Sequence, residues 1–338
     1  MTELKRKINR YDSFTKCKSV VLGTINWSLL DIIQNIDKRR YLEVFLEDLN
    51  DTYSELEKIF QKFNIHVDRP KPIEYNPNKK YVTPYFDLPA VKNPISPSDS
   101  FLCLADTIVE VPSVQENAFF DYSQYKHIWQ NYFDNGSHWI SAPIPTHNPL
   151  QYQGDEFNEQ AEPMFDASSL DPVGNIVLCA EKIVFNQRAK SWLERTFPQF
   201  KFVIVPDTRG HLDSYFRILK PGLLYSSLPK QKLPDLFKNW EIIQSNKTEY
   251  TPAEIISEFF QDDDYENTNL DVNGFSIDEE NFIVMQHVYD NQPETIKQIE
   301  SHGINCIPLH YDSSRFLNQG IACVVNATNR EGSLTNYF

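Results

Sequence analysis

The sequence predicts an α/β protein built from a repeated strand–strand–helix–strand unit. Two short apolar runs joined by a turn, then a helix-like segment and a further strand, recur four times at spacings of roughly 50 residues. The opening strand, a long helix and Asn64–Val67 form a fifth, imperfect copy. Because helices separate the groups of strands, closure into a five-module α/β propeller fits this pattern better than an open parallel sheet. An ordinary α/β domain with accidental regularity is the alternative.

The N-terminal part of the chain carries the imperfect copy. Ser19–Gly23 is predicted to be a short buried strand and Ser28–Asp37 to be loosely helical. Over Tyr41–Phe63 apolar residues recur at steps of three and four with acidic residues between them, which indicates an amphipathic helix. Asn64–Val67 follows as a strand. The stretch Arg69–Pro97 is rich in Pro, Asn and Lys and is predicted to be a long loop, and loops of this length are often functional lids.

The four regular copies follow this loop, and each is predicted as a hairpin, a helix and a closing strand. In chain order they are Phe101–Leu104, Thr107–Val111, Tyr122–Phe133 and His138–Ser141; Asn175–Cys179, Lys182–Phe185, Arg188–Phe197 and Lys201–Val205; Tyr215–Leu219, Leu223–Tyr225, Leu233–Trp240 and Glu241–Ile243; and Gly274–Ile277, Phe282–Met285, Pro293–Ser301 and Ile304–Ile307. Gly303 is the expected C-cap of the last helix.

Three segments interrupt the repeat, namely Tyr152–Pro163, Thr248–Asn269 and the tail Tyr311–Phe338. Insertions of this kind tend to cover a functional site. The acidic run Asp262–Asp264 is predicted to be a solvated loop, because it lacks the alternating ligand spacing of a calcium loop.

The composition is that of a globular protein, with 41% hydrophobic and 13% aromatic residues, and residues 1–338 are predicted to form a single domain. The formal net charge of -15 disfavours nucleic acid and anionic membranes as partners. The five cysteines are widely spaced without a C-x-x-C pair, which disfavours a disulfide framework or a zinc knuckle. The charged start leads into no apolar signal region, and no apolar run approaches the ~18 residues of a membrane span. The expected location is the cytoplasm.

Chemically competent residues stand at the junctions between the predicted copies. Asp166 precedes the second hairpin, His211 and Asp213 precede the third, and Cys323 follows the last strand. His211 and Asp213 are two residues apart at a predicted strand edge, so their side chains are expected to point the same way. In a ring of modules the junctions converge on the axis, where these residues would form a Cys–His–Asp nucleophilic set.

Each of these residues also has an ordinary structural interpretation. Cys323 lies in an apolar, strand-like run and is compatible with a small core residue. Asp166 precedes Ala-Ser-Ser and is compatible with a turn cap. Asp213 is compatible with a surface acid. The residue types alone leave both interpretations open.

Much of the chain, from about residue 12 to 338, resembles the amidinotransferases that act on glycine or inosamine phosphates, within the arginine-deiminase (pentein) superfamily. The segments that carry the resemblance, in family order, are Ala105–Pro112, His138–Pro143, Glu162–Ser168, His211–Phe216, Pro221–Gly222 and Cys323–Tyr337. The combination of E-P-x-F-D-A, H-x-D and a cysteine near the C-terminus is fairly specific, whereas any one of these motifs alone is not. The resemblance implies the five-module α/β propeller of that superfamily.

The resemblance also implies roles for individual residues. The nucleophile, the general acid/base and the carboxylate orienting it would be Cys323, His211 and Asp166. The residues expected to bind the donor substrate are Asp99 and Asp213 for the guanidinium, with Lys230 and Asp271 near the rest of the donor.

Some positions depart from the family pattern. Ser98 stands where the family usually has an arginine before the guanidinium-binding aspartate. Lys230 keeps the charge of a carboxylate-gripping arginine but loses its bidentate fork. Asp271 replaces a small hydroxyl residue, and Thr208–Gly210 replaces an Asn-Pro-Met-like run on the acceptor side. Glycine is therefore not the indicated acceptor.

The expected activity is transfer of the amidino group of arginine to an acceptor amine through an amidino-cysteine, releasing ornithine, without a metal or an organic cofactor. A guanidine-hydrolysing enzyme of the same superfamily shares the first half-reaction and is the main alternative. A catalytically altered guanidinium-binding protein is a further one. The expected partners are a small guanidino donor and an amine, and the choice between a monomer and a homodimer is open.

Overall fold

The structure, a computed structural model, describes residues 6–113, 115–146, 162–181, 185–208, 210–246 and 270–338. Its strands are β1 (Cys17–Leu22), β2 (His66–Asp68), β3 (Tyr81–Val82), β4 (Asp87–Leu88), β5 (Phe101–Leu104), β6 (Thr107–Glu110), β7 (His138–Ser141), β8 (Leu170–Val173), β9 (Ile176–Cys179), β10 (Lys201–Ile204), β11 (Phe216–Lys220), β12 (Leu223–Ser226), β13 (Glu241–Gln244), β14 (Phe275–Asp278), β15 (Asn281–Met285), β16 (Asn305–Leu309) and β17 (Val325–Arg330).

The helices lie between these strands. The α-helices are α1 (Ile36–Lys62), α2 (Pro97–Ser100), α3 (Lys126–Asp134), α4 (Gln187–Thr196), α5 (Gln286–Asn291), α6 (Pro293–Ser301), α7 (Ser314–Leu317) and α8 (Ile321–Val324). The 3-10 turns are Trp27–Ile32, Glu116–Ala118, Asp121–Tyr125, Ala167–Ser169, Leu212–Ser214, Lys230–Lys232, Asp235–Phe237 and Leu270–Val272. As predicted, α1 is amphipathic; the Asn35 side chain caps it by accepting from the Lys38 amide, and residues such as Leu49, Leu56 and Phe60 are buried.

The strands form five three-stranded sheets with one shared connectivity, beside the small pair β3–β4. In each sheet the first two strands are antiparallel and the second and third are parallel, as in β5–β6–β7 and β14–β15–β16. A parallel pair needs a long crossover, which explains why helices recur at that point of the repeat. The predicted α/β repeat is confirmed. Each sheet has free edges within the described residues, so no hydrogen-bonded sheet closes on itself.

The two ends of the chain meet in the fifth sheet, whose order is β17–β1–β2. Strand β17 pairs antiparallel with β1, for example Val325 with Leu22 and Ala327 with Val20. The imperfect N-terminal copy is therefore completed by the tail. The interpretation of Tyr311–Phe338 as an insertion is wrong, because its strand β17 supplies the missing hydrogen-bond partner of β1.

The second regular hairpin is also displaced from its prediction. The run Ile176–Cys179 pairs with the preceding strand Leu170–Val173. The true partner contains Asp171 and Pro172, which look like turn residues in the sequence. Pro172 is tolerated because β8 is an edge strand. Residues 182–184 lie outside the described residues.

The crossover between β12 and β13 is shorter than predicted. In place of a helix over Leu233–Trp240, it has the 3-10 turns Lys230–Lys232 and Asp235–Phe237. Pro234 is the N-cap residue of the second of these turns. The predicted insertions around Tyr152–Pro163 and Thr248–Asn269 lie largely or entirely outside the described residues.

Three buried clusters hold neighbouring sheets together. One joins β1 to β5 and β6 through Val21, Phe101 and Trp129. A second runs from β5 and β6 across β8–β10 to β11 and β12. The third runs from β11–β13 across β14–β16 to β17 and β1. Each sheet therefore shares a core with the sheet before it and the sheet after it.

Each sheet is entered through a short helical segment that ends just before its first strand. These segments are α2 before β5, Ala167–Ser169 before β8, Leu212–Ser214 before β11, Leu270–Val272 before β14 and α8 before β17. Contacts link α2 to α8 and to Ala167–Ser169, and link Leu212–Ser214 to the turns on either side of it. The junction residues singled out in the sequence lie on these segments. Among the described helices, none combines the length and apolarity needed to cross a bilayer.

Candidate active site

Cys323 lies in the helical turn α8 and not in a strand. Its side chain is buried, with 5% of the residue exposed. The Cys323 Sγ donates to Asp213 Oδ2 at 3.2 Å and accepts from Asn273 Nδ2 at 3.3 Å. The oxygen of the Asn273 side-chain amide, Oδ1, accepts from the Ala322 backbone amide at 2.9 Å. The sulfur is thus held between a carboxylate and an amide donor, which a core cysteine would not need.

His211 lies between two carboxylates. Its Nδ1 is 3.4 Å from Asp99 Oδ1, and its Nε2 is 3.5 Å from Asp166 Oδ2. The other oxygen of Asp166 accepts from the Ser113 hydroxyl at 3.1 Å. The Asp166 side chain does not cap the turn that follows it, so the structure favours a part in the site over the capping interpretation.

The same carboxylates act in opposite ways on the two reactive groups. Burial raises the pKa of the Cys323 thiol well above its ordinary value, and Asp213 and Asp99 raise it further. Burial by itself lowers the pKa of His211, but Asp99 and Asp166 outweigh it and raise the pKa to about 9. Without substrate, Cys323 is therefore a neutral thiol and His211 is an imidazolium cation at neutral pH.

Ser98 connects the two halves of the site. Its hydroxyl donates to the Cys323 carbonyl oxygen at 2.8 Å and lies 3.3 Å from Asp99 Oδ1. Asp99 is thus held by a serine and by His211. Burial raises the pKa of Asp99, while His211 opposes the rise.

His211 and Asp213 reach the site differently from the prediction. They were expected on one edge of a strand, but Leu212–Ser214 is a 3-10 turn and His211 is its N-cap residue. Asp213 therefore turns toward Cys323 and Arg217, whose Nη2 is 3.6 Å from Asp213 Oδ2, while His211 turns toward Asp99. Asp213 is 6% exposed, so the surface-acid interpretation is wrong.

The predicted residues for the rest of the donor lie apart from this cluster. Lys230 is exposed in a 3-10 turn, and no contact among the described residues joins it to Cys323 or His211. Asp271 is buried, with His287 Nε2 3.3 Å from its Oδ1 and Gln292 Nε2 2.8 Å from its Oδ2. The roles of Lys230 and Asp271 stay predictions.

The expected acceptor side is only partly described. The Thr208 hydroxyl is buried and occupied within the fold, because it donates to the Val205 carbonyl at 2.7 Å and accepts from the Glu181 amide at 2.9 Å. Arg209 lies outside the described residues. The described part of the chain contains no group of three or more His, Cys, Asp or Glu side chains arranged to hold a metal ion.

Sequence reasoning missed Asn273, and it named Ser98 only as a departure from a pattern. Asn273 is fully buried and directly precedes β14, the same position relative to its strand that the predicted junction residues occupy. Applying the junction argument to the fourth module would have found it. Ser113 carried no such signal, because only the fold brings it to Asp166.

Comparison with known proteins shows that the chain is similar to amidinotransferases. The chain is 27% identical over 313 residues to the mitochondrial glycine amidinotransferase of Gallus gallus, covering 84% of this chain and 70% of that protein. It is 25% identical over 317 residues to inosamine-phosphate amidinotransferase 1 of Streptomyces griseus, covering 90% and 87%. No protein-family model matches the sequence. The resemblance drawn from the motifs is confirmed.

Solved structures give the same picture of the fold. The inosamine-phosphate amidinotransferase of Streptomyces griseus superposes with a TM-score of 0.81 at 21% identity, and the saxitoxin-pathway amidinotransferase of Microseira wollei with 0.80 at 22%. Both matches cover 98% of this chain and 99% of the other. DDAH from Pseudomonas aeruginosa superposes with 0.61 at 14% identity. The chain therefore shares the α/β fold of these solved structures.

Proposed function

We propose that this protein is an amidinotransferase that carries the amidino group of arginine on Cys323 and passes it to an acceptor amine. The observation that carries the proposal is the meeting of Cys323, His211 and the carboxylates of Asp99, Asp166 and Asp213 in one buried cluster, in a chain similar to amidinotransferases along most of its length.

The charges of the site suit a guanidinium donor. A cation placed between Asp99 and Asp213 would gain charge-assisted hydrogen bonds in a site with little water. Its positive charge would offset the two carboxylates that keep Cys323 protonated, so substrate binding itself favours loss of the thiol proton to solvent. The nucleophile then forms only when its target is present.

In the first half-reaction the Cys323 thiolate attacks the guanidinium carbon. His211, protonated in the free enzyme, gives its proton to the departing nitrogen as the carbon–nitrogen bond breaks. Ornithine leaves, the amidino group stays on Cys323 and His211 is neutral. Asp166, fixed by Ser113, holds the imidazole in place through both events.

The second half-reaction reverses these transfers. Neutral His211 takes a proton from the acceptor ammonium, and the resulting amine attacks the amidino carbon. The attacking nitrogen loses a second proton to solvent as the carbon–sulfur bond breaks, so the product leaves as a guanidinium cation, and the Cys323 thiolate regains a proton from solvent.

For the architecture we propose that the five sheets surround a central axis as a propeller, with residues 1–338 as one domain. Support comes from the three clusters, which link each sheet to both neighbours. The contacts among the entry segments point the same way. In this arrangement the site lies where those segments converge.

The test is incubation with arginine, with and without a panel of amines, followed by measurement of ornithine, citrulline and the mass of the Cys323 peptide. Ornithine that accumulates beyond one enzyme equivalent only when an amine is present supports transfer. Citrulline without an amine identifies a hydrolase instead. Absence of turnover and of an adduct, with Cys323→Ala binding arginine as tightly as wild type, identifies a binding protein.

A further inference from the structure

A small cavity adjoins His211 on the side of its two carboxylate partners. Its volume is about 30 Å³, enough for one or two water molecules or an ammonium group. Its polar lining comprises Lys92, Asp99, Ser100, Ser113, Gln115, Asp121, Asp166 and His211. Lys92 belongs to the long loop that the sequence marked as a functional lid, so this loop contributes to the wall of the cavity.

Asp121 is the carboxylate of this wall to which the reaction described above gives no role. It begins the 3-10 turn Asp121–Tyr125, and 7% of the residue is exposed. Its Oδ1 is buried without a hydrogen-bond partner among the described residues. Leaving a buried carboxylate oxygen unsatisfied is costly, so such an atom usually marks the place of a ligand or water.

The electrostatics of the cavity favour a cation. Asp99, Asp121 and Asp166 face Lys92 and His211, and His211 loses its charge once it has protonated the departing amine. Burial raises the pKa of Asp121 to about 7, and a bound cation would bring that pKa down again. At that stage of the reaction three carboxylates face a single lysine.

We propose that this cavity receives the ammonium group of the acceptor, with Asp121 as its recognition residue, and that the acceptor is a small primary amine without a carboxylate beside the amine. The inference rests on the proposed function, whose second half-reaction needs a cationic amine next to His211. A carboxylate on the carbon next to the amine would enter a wall dominated by aspartates, so α-amino acids such as glycine are disfavoured.

The geometry connects binding to transfer. The ammonium pairs with Asp121 and lies beside His211, which takes one proton from it. The neutral amine then attacks the amidino carbon, its nitrogen loses a second proton to solvent, and the carbon–sulfur bond breaks to give the guanidinium product and the Cys323 thiolate. Asp121 positions the amine and exchanges no atom with it.

The experiment separates the two half-reactions. The full-length protein is charged with arginine, freed of excess arginine and mixed with methylamine, ethanolamine or glycine, and loss of the amidino mass from the Cys323 peptide is timed. In the wild type we expect half-saturation by glycine to need at least about tenfold more acceptor than half-saturation by methylamine. In Asp121→Asn we expect the methylamine half-saturation to rise about 10- to 100-fold, as for a lost charge-assisted hydrogen bond.

Controls distinguish recognition from damage. Adduct formation from arginine in Asp121→Asn should change by less than about threefold. Asp121→Glu should recover part of the methylamine affinity, because it keeps the charge. Asp106→Asn removes an exposed carboxylate from the same module and should match the wild type.

Equal slowing of both half-reactions in Asp121→Asn, or an unchanged methylamine half-saturation, would overturn the inference and leave the proposed function standing. Where Asp121→Asn does not fold, a wild type that prefers glycine to methylamine overturns it as well. Absence of any adduct from arginine in the wild type overturns the proposed function and this inference together.

Discussion

The cysteine end of the site (Cys323 with Asp213) and its histidine end (His211 with Asp99 and Asp166) are both surrounded by carboxylates, yet Cys323 and His211 hold their protons for opposite reasons. Cys323 is buried, whereas His211 is partly exposed. At Cys323 the carboxylate of Asp213 disfavours the anion that deprotonation would create, so the sulfur stays a neutral thiol. At His211 the carboxylates of Asp99 and Asp166 favour the cation, so the imidazole stays charged. One set of negative charges thus keeps both the thiol of Cys323 and the imidazole of His211 protonated.

The comparison indicates that the site is incomplete until a cation enters. A guanidinium between Asp99 and Asp213 would offset the negative charge that keeps Cys323 protonated. It would leave His211 able to protonate the leaving group. An enzyme built this way reacts slowly with neutral electrophiles and quickly with cationic ones. The thiol of Cys323 and the imidazole of His211 can be tested separately.

Removing the sulfur of Cys323 should abolish the reaction at the cysteine end of the site. For Cys323→Ala we expect no amidino adduct and a loss of turnover of at least about 10⁴-fold, because the nucleophile has no substitute. The measurement is ornithine release together with the mass of the modified peptide. Cys306→Ala, which removes a buried cysteine from the core, should keep its activity. Turnover that survives in Cys323→Ala would place the nucleophile elsewhere.

Neutralising Asp213 should separate thiol reactivity from catalysis. In Asp213→Asn the pKa of Cys323 should fall, since Asp213 raises it, and alkylation by iodoacetamide at neutral pH should be about tenfold faster. Arginine turnover should nevertheless fall about 100- to 1000-fold, because a guanidinium partner is lost. The exposed Asp207 provides a matched control as Asp207→Asn. Slower alkylation in Asp213→Asn would contradict the electrostatic account of the cysteine end.

The charge on His211 should affect how the free energy of unfolding depends on pH. The pKa of His211 is raised from 6.5 to about 9 in the folded protein, so this stabilisation is complete below the unfolded pKa and is lost as the pH rises through the folded one. The free energy of unfolding should fall by on the order of 2–3 kcal/mol across this range. Urea unfolding at several pH values should show a shallower fall in His211→Gln than in the wild type.

His138→Gln, a change at an exposed histidine, should follow the wild-type curve. Parallel curves for wild type and His211→Gln would show that His211 is not held as a cation, and the contrast between the two ends would disappear.

Asn273 offers the smallest and most local test. Asn273→Ala removes the donor to Cys323 Sγ and the acceptor for the Ala322 amide, and turnover should fall about tenfold, as for one or two lost hydrogen bonds. Asn273→Asp keeps the acceptor but places a negative charge beside the sulfur. We expect its thiol to be alkylated more slowly than that of Asn273→Ala. The opposite order would show that Asn273 only shapes the backbone.

Much of the fold follows from local patterns. The hairpin of β5 and β6, the helix α1 and the helix α6 from Pro293 to Ser301 are evident from alternation, amphipathic spacing and a proline at the first helical position. The prediction failed where a strand carries polar or turn-forming residues. Asp171 is buried in β8, where Arg10 and Ser13 from the N-terminal segment offset the cost of burying its carboxylate. The local sequence pattern around Asp171 does not indicate these distant partners.

The site, like the fold, was predicted only in part from the sequence. The motifs named Cys323, His211, Asp166, Asp99 and Asp213, and the structure brings all of them together. The orientation of His211 and Asp213 was wrong in the sequence argument, because a 3-10 turn replaced the expected strand edge.

The repeating unit and the residue types at its junctions follow from the amino-acid sequence alone, because both depend on spacing along the chain. Which strands and side chains come into contact follows only from the tertiary structure. Pairing of β17 with β1, of Asn273 with Cys323 and of Ser113 with Asp166 joins segments far apart in the chain. Such contacts depend on how all five sheets pack, and the balance of charge that sets the protons of Cys323 and His211 depends on those contacts.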